Sequence, residues 1–130
     1  MGQLIKGIHH FSMKCTTGQL ERVMEFYHEL LGLPIARRWE DGLMLDTGSG
    51  LIEIFTNGDG ASAKGTIRHV ALATDDVDRC AAVVREAGYS VFIQPKDIVI
   101  PSNPPLSARI AFCVGPIGEE IEFFQEKPHV

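Results

Sequence analysis

The stretch HFSMKCTTGQLERVMEFYHELLG (residues 10–32) decides the fold, because HVALATDDVDRCAAVVREAG (residues 69–88) repeats its organisation. Each stretch begins with a histidine on a short alternating segment, passes through Thr or Asp, and then becomes helical. Self-similarity of this kind is the sequence signature of a repeated supersecondary unit. We therefore predict that the chain contains two copies of one module.

Both repeats contain an amphipathic helix with recognisable ends. Thr16 and Gln19 form a capping box in front of the first helix, and Gly32 is placed to end it. Asp75 or Asp76 caps the second helix. Apolar residues follow the 3, 4 and 7 spacing of one helix face in each repeat. They are Leu20, Val23, Met24, Tyr27, Leu30 and Leu31 in the first, and Val77, Cys80, Ala81 and Val84 in the second.

Three short extended segments follow each helix, so each module has the order strand, helix, three strands. This predicts an α+β fold of two βαβββ modules. The segments are ARRWE (36–40), GLMLD (42–46) and LIEIF (51–55), then YSVFI (89–93), ARIAFCV (108–114) and EEIEFF (119–124).

The chain length fits a single domain, since 130 residues are enough for one core and too few for two ordinary domains. We place module 1 at about 5–57 and module 2 at about 66–127, joined by a polar, Gly-rich linker at 58–65. An insertion at 94–107 holds four of the seven prolines. Its composition predicts a stiff loop near a pocket mouth or a long surface loop.

Composition excludes several classes of protein. The net charge of −5, with no basic run, argues against nucleic-acid binding. No apolar run is long enough to span a bilayer, and the N-terminus does not have the pattern of a signal peptide. The three cysteines share no metal-type spacing. Free thiols in a reducing cytoplasm are the simplest interpretation, so we expect a cytoplasmic protein.

The segment LIEIF (51–55) resembles a buried strand with a carboxylate, Glu53, at its centre. A buried, unpaired carboxylate costs roughly several kcal/mol, so something should compensate it. The repeat supplies candidates, because His10 matches His69 and Glu53 matches Glu122. Strand alternation places all four on the sheet face opposite the helices.

Two histidines and two glutamates on one face suit a divalent metal. Imidazole nitrogen and carboxylate oxygen together bind Ni, Zn, Co, Mn or Fe. The charge of the ion would also compensate Glu53. A lone strand histidine is more often structural than a ligand. Two repeat-related pairs that face the same way favour the metal interpretation.

These residues and motifs resemble the vicinal oxygen chelate superfamily, and within it glyoxalase I (lactoylglutathione lyase) in its short bacterial form. The resemblance covers nearly the whole chain. It is carried by IHHFSMK (8–14), IRHVALATDD (67–76), LIEIF (51–55) and GEEIEFF (118–124). It implies two modules that form paired curved mixed sheets, the glyoxalase/bleomycin resistance/dioxygenase fold.

The resemblance also implies a ligand set and an activity. The four metal positions of the family fall on His10, Glu53, His69 and Glu122. The implied reaction converts a hemithioacetal of methylglyoxal and a thiol to a 2-hydroxyacyl thioester. Family precedent gives the catalytic proton transfer to Glu122, with Glu53 as its partner. The substrate-contacting positions of the family fall on Lys14 and Asn57. Lys14 stands where the family usually has arginine, and lysine keeps the charge but loses the bidentate fork.

Other functions on the same fold stay open. One is a different metal enzyme, either an epimerase or a non-haem iron dioxygenase. Family precedent gives the epimerase Gln where Glu53 stands, and the dioxygenase needs only a facial triad of ligands. The other is a protein that binds or sequesters a small molecule, as in drug resistance, without catalysis. By family analogy we expect a homodimer, whose ligands come from one chain or from two.

Overall fold

The computed structural model describes residues 8–60, 69–102 and 104–128. Two compact units divide the chain, Met1–Ala61 and Ser62–Val130. Each contains one four-stranded mixed sheet and helical segments in the order βαβββ. The predicted α+β class and the repeated module are therefore confirmed. That the two units make one domain stays a prediction, and most of the predicted linker lies outside the described residues.

The sheet of unit 1 has the strand order β1-β4-β3-β2. The first and last strands of the module, β1 and β4, are parallel neighbours, and the other pairs are antiparallel. Parallel neighbours need a crossover connection, which the helical segment of the module supplies. The strands are β1 (His10–Lys14), β2 (Ile35–Trp39), β3 (Gly42–Asp46) and β4 (Leu51–Phe55).

The predicted capping box is present, since the Thr16 hydroxyl accepts from the Gln19 amide and the Gln19 side chain accepts from the Thr16 amide. The first helix, however, is not the regular α-helix that we expected. A 3-10 turn leads into α1, and a π-helical turn follows it, where the Leu31 amide donates to the Phe26 carbonyl at 3.0 Å. Wider π turns rotate the helix face relative to an α-helix. Phe26, outside the predicted stripe, is consequently fully buried. The segments are Thr17–Gln19, α1 (Leu20–Met24) and Glu25–Leu30.

Unit 2 repeats this topology with the strand order β5-β8-β7-β6, and β5 is parallel to β8. Its helix is regular, and of the two predicted caps Asp76 is the one observed, accepting from the Arg79 amide at 3.0 Å. Gly88 follows the helix with φ of 96°, a conformation that glycine adopts without strain. The elements are β5 (Val70–Ala73), α2 (Val77–Glu86), β6 (Val91–Ile100), β7 (Leu106–Val114) and β8 (Glu120–Lys127).

The predicted loop at 94–107 is wrong over most of its length. Strand β6 continues to Ile100 and β7 begins at Leu106. Pro95 is tolerated because the register shifts between Ile93 and Lys96, and a proline at such a bulge needs no ladder hydrogen bond. The β-branched run after it then resumes pairing with β7.

The inner strands of each sheet bury apolar residues on one face. In β4 these residues are Ile52 and Ile54, and in β8 they are Ile121 and Phe123. The residues between them point to the opposite face, as alternation requires. That second face carries the glutamates. No helix in the described part of the chain is both long and apolar enough to cross a membrane.

Candidate metal centre

The parallel pairing of β1 and β4 brings His10 and Glu53 together. Ser12 lies opposite Glu53 in the register, so His10 stands two residues before that position on the same sheet face. The His10 Nε2 atom lies 3.6 Å from Glu53 Oε1. The His10 side chain is partly exposed, and the Glu53 side chain is largely buried.

Unit 2 forms the second pair in the same way. His69 directly precedes β5, and Ala71, two residues later, lies opposite Glu122 in the parallel register with β8. The His69 Nε2 atom lies 3.3 Å from Glu122 Oε1. Each histidine therefore lies beside the glutamate of its own unit, on the face opposite the buried apolar residues of β4 and β8.

The two glutamates are buried to nearly the same extent. The Glu53 side chain is 13% exposed and the Glu122 side chain is 11% exposed. Burial raises the pKa of Glu122, and His69 acts in the opposite direction. The expectation of a largely buried carboxylate at Glu53 is therefore confirmed, and Glu122 is its counterpart in the second unit.

The separations within the pairs fit ligands of a common ion. Divalent transition metals bind imidazole nitrogen and carboxylate oxygen at about 2.0–2.2 Å. Two such atoms on one ion lie about 3.0 Å apart at a right angle and about 3.4 Å apart at a tetrahedral angle, from the same bond lengths. The observed separations of 3.3 and 3.6 Å are close to these values. They exceed the usual length of a charge-assisted hydrogen bond, about 2.7–2.9 Å.

A complete ligand set needs more than one pair. Within residues 8–60, 69–102 and 104–128, no group of three or more His, Cys, Asp or Glu side chains is arranged to hold an ion. Each pair supplies two of the three or four protein ligands that such metals take. The four-ligand set of His10, Glu53, His69 and Glu122 stays a prediction.

His9 contacts His10, and the sequence analysis did not predict this contact. Its Nδ1 atom lies 2.9 Å from the Nδ1 atom of His10. In this hydrogen bond one ring donates from Nδ1 and the other accepts, and the direction depends on the tautomer. When His10 donates, its Nε2 atom carries the lone pair that an ion requires; when His10 accepts in its neutral form, Nε2 carries the hydrogen. The adjacent histidines were the available signal.

The two predicted substrate-contacting residues lie at the same end of unit 1. Lys14 ends β1, is exposed, and stands opposite Phe55 in the register. Asn57 lies two residues beyond β4, and its Nδ2 atom donates to Asp41 Oδ2 at 3.5 Å. Their contact with a substrate stays a prediction.

Aromatic side chains border both pairs. In unit 2 the Phe112 ring meets His69 edge to face, with centroids 5.2 Å apart, and Phe112 lies opposite Glu122 in the register. In unit 1 the Trp39 and Phe55 rings meet with centroids 5.6 Å apart. Phe112 was not predicted from the sequence. The alternation of β7, which places Phe112 opposite to the buried Cys113, was the available signal.

Comparison with known proteins places the chain by family and fold. The model of the Glyoxalase/Bleomycin resistance protein/Dioxygenase superfamily matches residues 7–124. A sequence search of curated proteins found no match.

Solved structures with the same fold include three that are each 22% identical to this chain. An antibiotic-binding protein from Streptomyces sp. CB03234 has a TM-score of 0.72, with 97% of this chain and 100% of that chain covered. A glyoxalase family protein from Enterococcus faecalis has a TM-score of 0.69, with 94% and 99% covered. A mutant of glyoxalase I from Zea mays has a TM-score of 0.71, with 88% and 43% covered. Likeness at this identity concerns the fold.

Proposed function

The chain belongs to the Glyoxalase/Bleomycin resistance protein/Dioxygenase superfamily, and we propose that it is a metal-dependent lyase of the glyoxalase I type. In this proposal it converts the hemithioacetal of methylglyoxal and a thiol to a 2-hydroxyacyl thioester. The fold alone does not choose among the functions of a superfamily, so the proposal depends on the site.

One observation carries the proposal: a His–Glu pair occurs twice, in matching positions of the two units, with separations of 3.6 and 3.3 Å. A carboxylate in the first unit as well as in the second supports the glyoxalase reaction over an epimerase, whose family pattern has Gln at the Glu53 position. With this carboxylate the proposed ligand set has four members, one more than the facial triad that a dioxygenase needs.

In the proposed site His10, Glu53, His69 and Glu122 hold one divalent ion, which is Ni, Zn, Co, Mn or Fe. When bound, the ion supplies electrostatic stabilisation of the negative charge that develops on the substrate oxygens. Glu122 removes the proton from the carbon that bears the sulfur and returns it to the neighbouring carbon. Glu53 is its partner in this proton movement, and Lys14 and Asn57 hold the thiol part.

One pair from each unit must meet on one ion, within one chain or between two copies of a homodimer. Mixing two inactive variants, His10→Ala and His69→Ala, separates these cases. Restored activity in the mixture assigns the ligands to two chains. No restoration, with an unchanged dimer, assigns them to one chain.

The proposed location is a reducing cytoplasm. None of the three cysteines, all in the described part of the chain, is in a disulfide. Burial raises the pKa of Cys113 to about 12, so this thiol stays protonated.

The test is the metal content of the purified protein and of Glu53→Gln, followed by an isomerase assay with methylglyoxal plus glutathione. The protein is first reloaded with Ni, Zn, Co, Mn or Fe. We expect near-stoichiometric metal in the wild type, less in the variant, and thioester formation by at least one loaded form. Protein without metal, or metal-loaded protein that forms no thioester, would overturn the proposal.

A small-molecule-binding protein without catalysis is the second candidate. The half-exposed rings of Trp39 and Phe55 beside Glu53 favour it, since such surfaces bind flat apolar ligands. High-affinity ligand binding by the metal-free protein, together with no isomerase activity, would support this candidate instead.

A further inference from the structure

Two rows of side chains cross the sheet of unit 1 on the face that carries Glu53. In the first row, Ser12 and Met44 flank Glu53 on the neighbouring strands, and Arg37 follows Met44 on β2. Residues that oppose each other in a register share a face. Neighbouring strands are about 4.8 Å apart, which places the Arg37 backbone about 10 Å from that of Glu53.

The second row lies two residues further along the strands. It contains Lys14, Phe55, Gly42 and Trp39 in spatial order. A shift of two residues along a strand is about 6.6 Å. The aromatic side chains therefore stand one row away from Glu53, the candidate metal ligand. Lys14 lies beside Phe55 in the same row, and Arg37 lies two residues before Trp39 on β2.

Gly42 allows the Trp39 indole to lie across the sheet. A Cβ atom on Gly42 would be only 2.5 Å from the indole ring. The ring therefore occupies the space where the side chain of this position would stand, and it meets Phe55 edge to face at 5.6 Å. Both rings are half-exposed. Together they offer a half-exposed aromatic surface to a ligand.

Arg37 is exposed and lies over the Met44 sulfur, with Nη1 3.9 Å from Sδ. Among the described residues it has no carboxylate partner, in contrast to Arg109 of unit 2, which binds Asp78 and Asp97. Guanidinium groups recognise carboxylates with two parallel hydrogen bonds. Arg37 is therefore free to bind an anionic ligand.

We propose that this face selects a substrate that carries a carboxylate next to a flat apolar group, with Arg37 on the carboxylate and Trp39 and Phe55 on the flat group. The inference rests on the proposed function in taking the Glu53 face as the substrate side. It adds a substrate class, since neither methylglyoxal nor glutathione has a flat apolar group. Unit 2 has Ala71 and Ala73 in place of Ser12 and Lys14, so it does not duplicate this face.

Mandelate, lactate and mandelamide are matched probes for this class. Lactate replaces the phenyl group of mandelate with methyl, and mandelamide removes the charge. Calorimetry on the metal-free protein measures affinity, and the fluorescence of Trp39, the single tryptophan, reports where the probe binds. We expect mandelate to bind about tenfold more tightly than either of the other two probes.

Two variants assign the preference to residues, and a third is the control. Arg37→Ala should lower the mandelate affinity to that of mandelamide, and Phe55→Leu should lower it toward that of lactate. Arg38→Ala should change neither, because Arg38 is equally exposed and lies on the opposite face of β2, in register with Leu43. These results would support the inference.

Equal affinities for the three probes in the wild type, or equal effects of Arg37→Ala and Arg38→Ala, would overturn the inference. Because the binding test uses no metal and no turnover, its result is independent of the isomerase assay. A protein that forms thioester but does not prefer mandelate keeps the proposed function and loses this inference. A protein that prefers mandelate but holds no metal keeps this inference and loses the proposed function.

Discussion

The two units have one topology and two different surroundings for the same His–Glu pair. In both, the first and last strands are parallel neighbours, and this places a histidine beside a glutamate. Around Glu53 the neighbouring positions carry Ser12 and Lys14, whereas around Glu122 the matching positions are Ala71 and Ala73. The two glutamate side chains themselves are buried to nearly the same extent.

The units also differ in how they are built. Strands β6 and β7 have 10 and 9 residues, whereas β2 and β3 have five each. Unit 2 has a regular ten-residue helix, and the helix of unit 1 changes from 3-10 to α to π within 14 residues. The His–Glu pair is therefore common to both units, whereas its surroundings differ. In the proposed function, Lys14 and Asn57 of unit 1 hold the thiol part and Glu122 of unit 2 transfers the proton.

The largest expected effect separates the two glutamates. Glu122→Gln should lower kcat about 10³-fold, because it removes the proton-transferring carboxylate. Glu53→Gln should act mainly on metal affinity, by about 10- to 100-fold. Isomerase kinetics on metal-saturated protein, together with metal titration, measure both quantities. Glu126→Gln, on an exposed position of β8, is the control and should have no effect. Equal kcat losses at Glu53 and Glu122 would contradict the division of roles.

Gly42→Ala tests the surroundings that are particular to unit 1. The added methyl group overlaps the Trp39 ring, so the indole must move. We expect the free energy of unfolding to fall by about 1–3 kcal/mol, as for other overpacked sites. Trp39 emission should shift to longer wavelength as the ring becomes exposed.

Gly18→Ala is the matched control for that substitution. Its added methyl group would be 3.8 Å from the nearest atom, the Thr16 hydroxyl oxygen, which is ordinary contact. It should leave Trp39 emission unchanged in a fluorescence scan. Unchanged emission and stability in Gly42→Ala would show that the indole does not lie across the sheet.

Matched core substitutions test whether the two sheets are equivalent beneath the site. Ile52 and Ile121 are both fully buried, each one residue before its glutamate. Ile52→Val and Ile121→Val should each cost about 1 kcal/mol of unfolding free energy, since each removes one buried methyl group. Denaturant titration measures both. Costs that differ several-fold would show that the buried faces are packed differently.

The smallest effect concerns a feature found in unit 2. Arg109 binds Asp78 through Nε at 2.8 Å and Nη2 at 2.9 Å, which lowers the Asp78 pKa from its ordinary 3.8. A lowered carboxyl pKa stabilises the fold above the ordinary value, and this contribution is lost as the pH falls through the folded value.

Asp78→Asn should therefore lower Tm slightly at pH 7, because exposed ion pairs contribute little. The wild type and the variant should converge in acid, below the ordinary carboxyl pKa. Thermal unfolding across pH measures the difference. A difference that persists unchanged in strong acid would contradict the assignment to this ion pair.

Much of the fold could be predicted because it is repeated. The repeat gives the module order twice, and strand alternation then gives the face of His10, Glu53, His69 and Glu122. The capping box at Thr16 and Gln19 is local chemistry, which sequence records directly. Hence the shared face of these four residues could be expected, whereas the contact of each histidine with the glutamate of its own unit was read from the structure.

The features that the sequence analysis predicted wrongly or missed depend on contacts between distant parts of the chain. The composition of 94–107 indicates a loop, but pairing with β7 and a register shift accommodate Pro95 in a strand. The 3, 4 and 7 spacing assumes a regular α-helix, whereas Glu25–Leu30 is π-helical, so the burial of Phe26 could not be read from the pattern. The alternation of β2 placed Arg37 and Trp39 on one side, but only the register with β3 and β4 connects them to Glu53.

The number of Ni(II) ions bound per chain tests the central claim, that the two His–Glu pairs serve one metal site. Calorimetric titration would compare the wild type with His10→Ala and His69→Ala. One ion per chain in the wild type, and lost or strongly weakened binding in both variants, is the predicted result. Two ions per chain, with one retained in each variant, would show that the pairs bind separately and would contradict the claim.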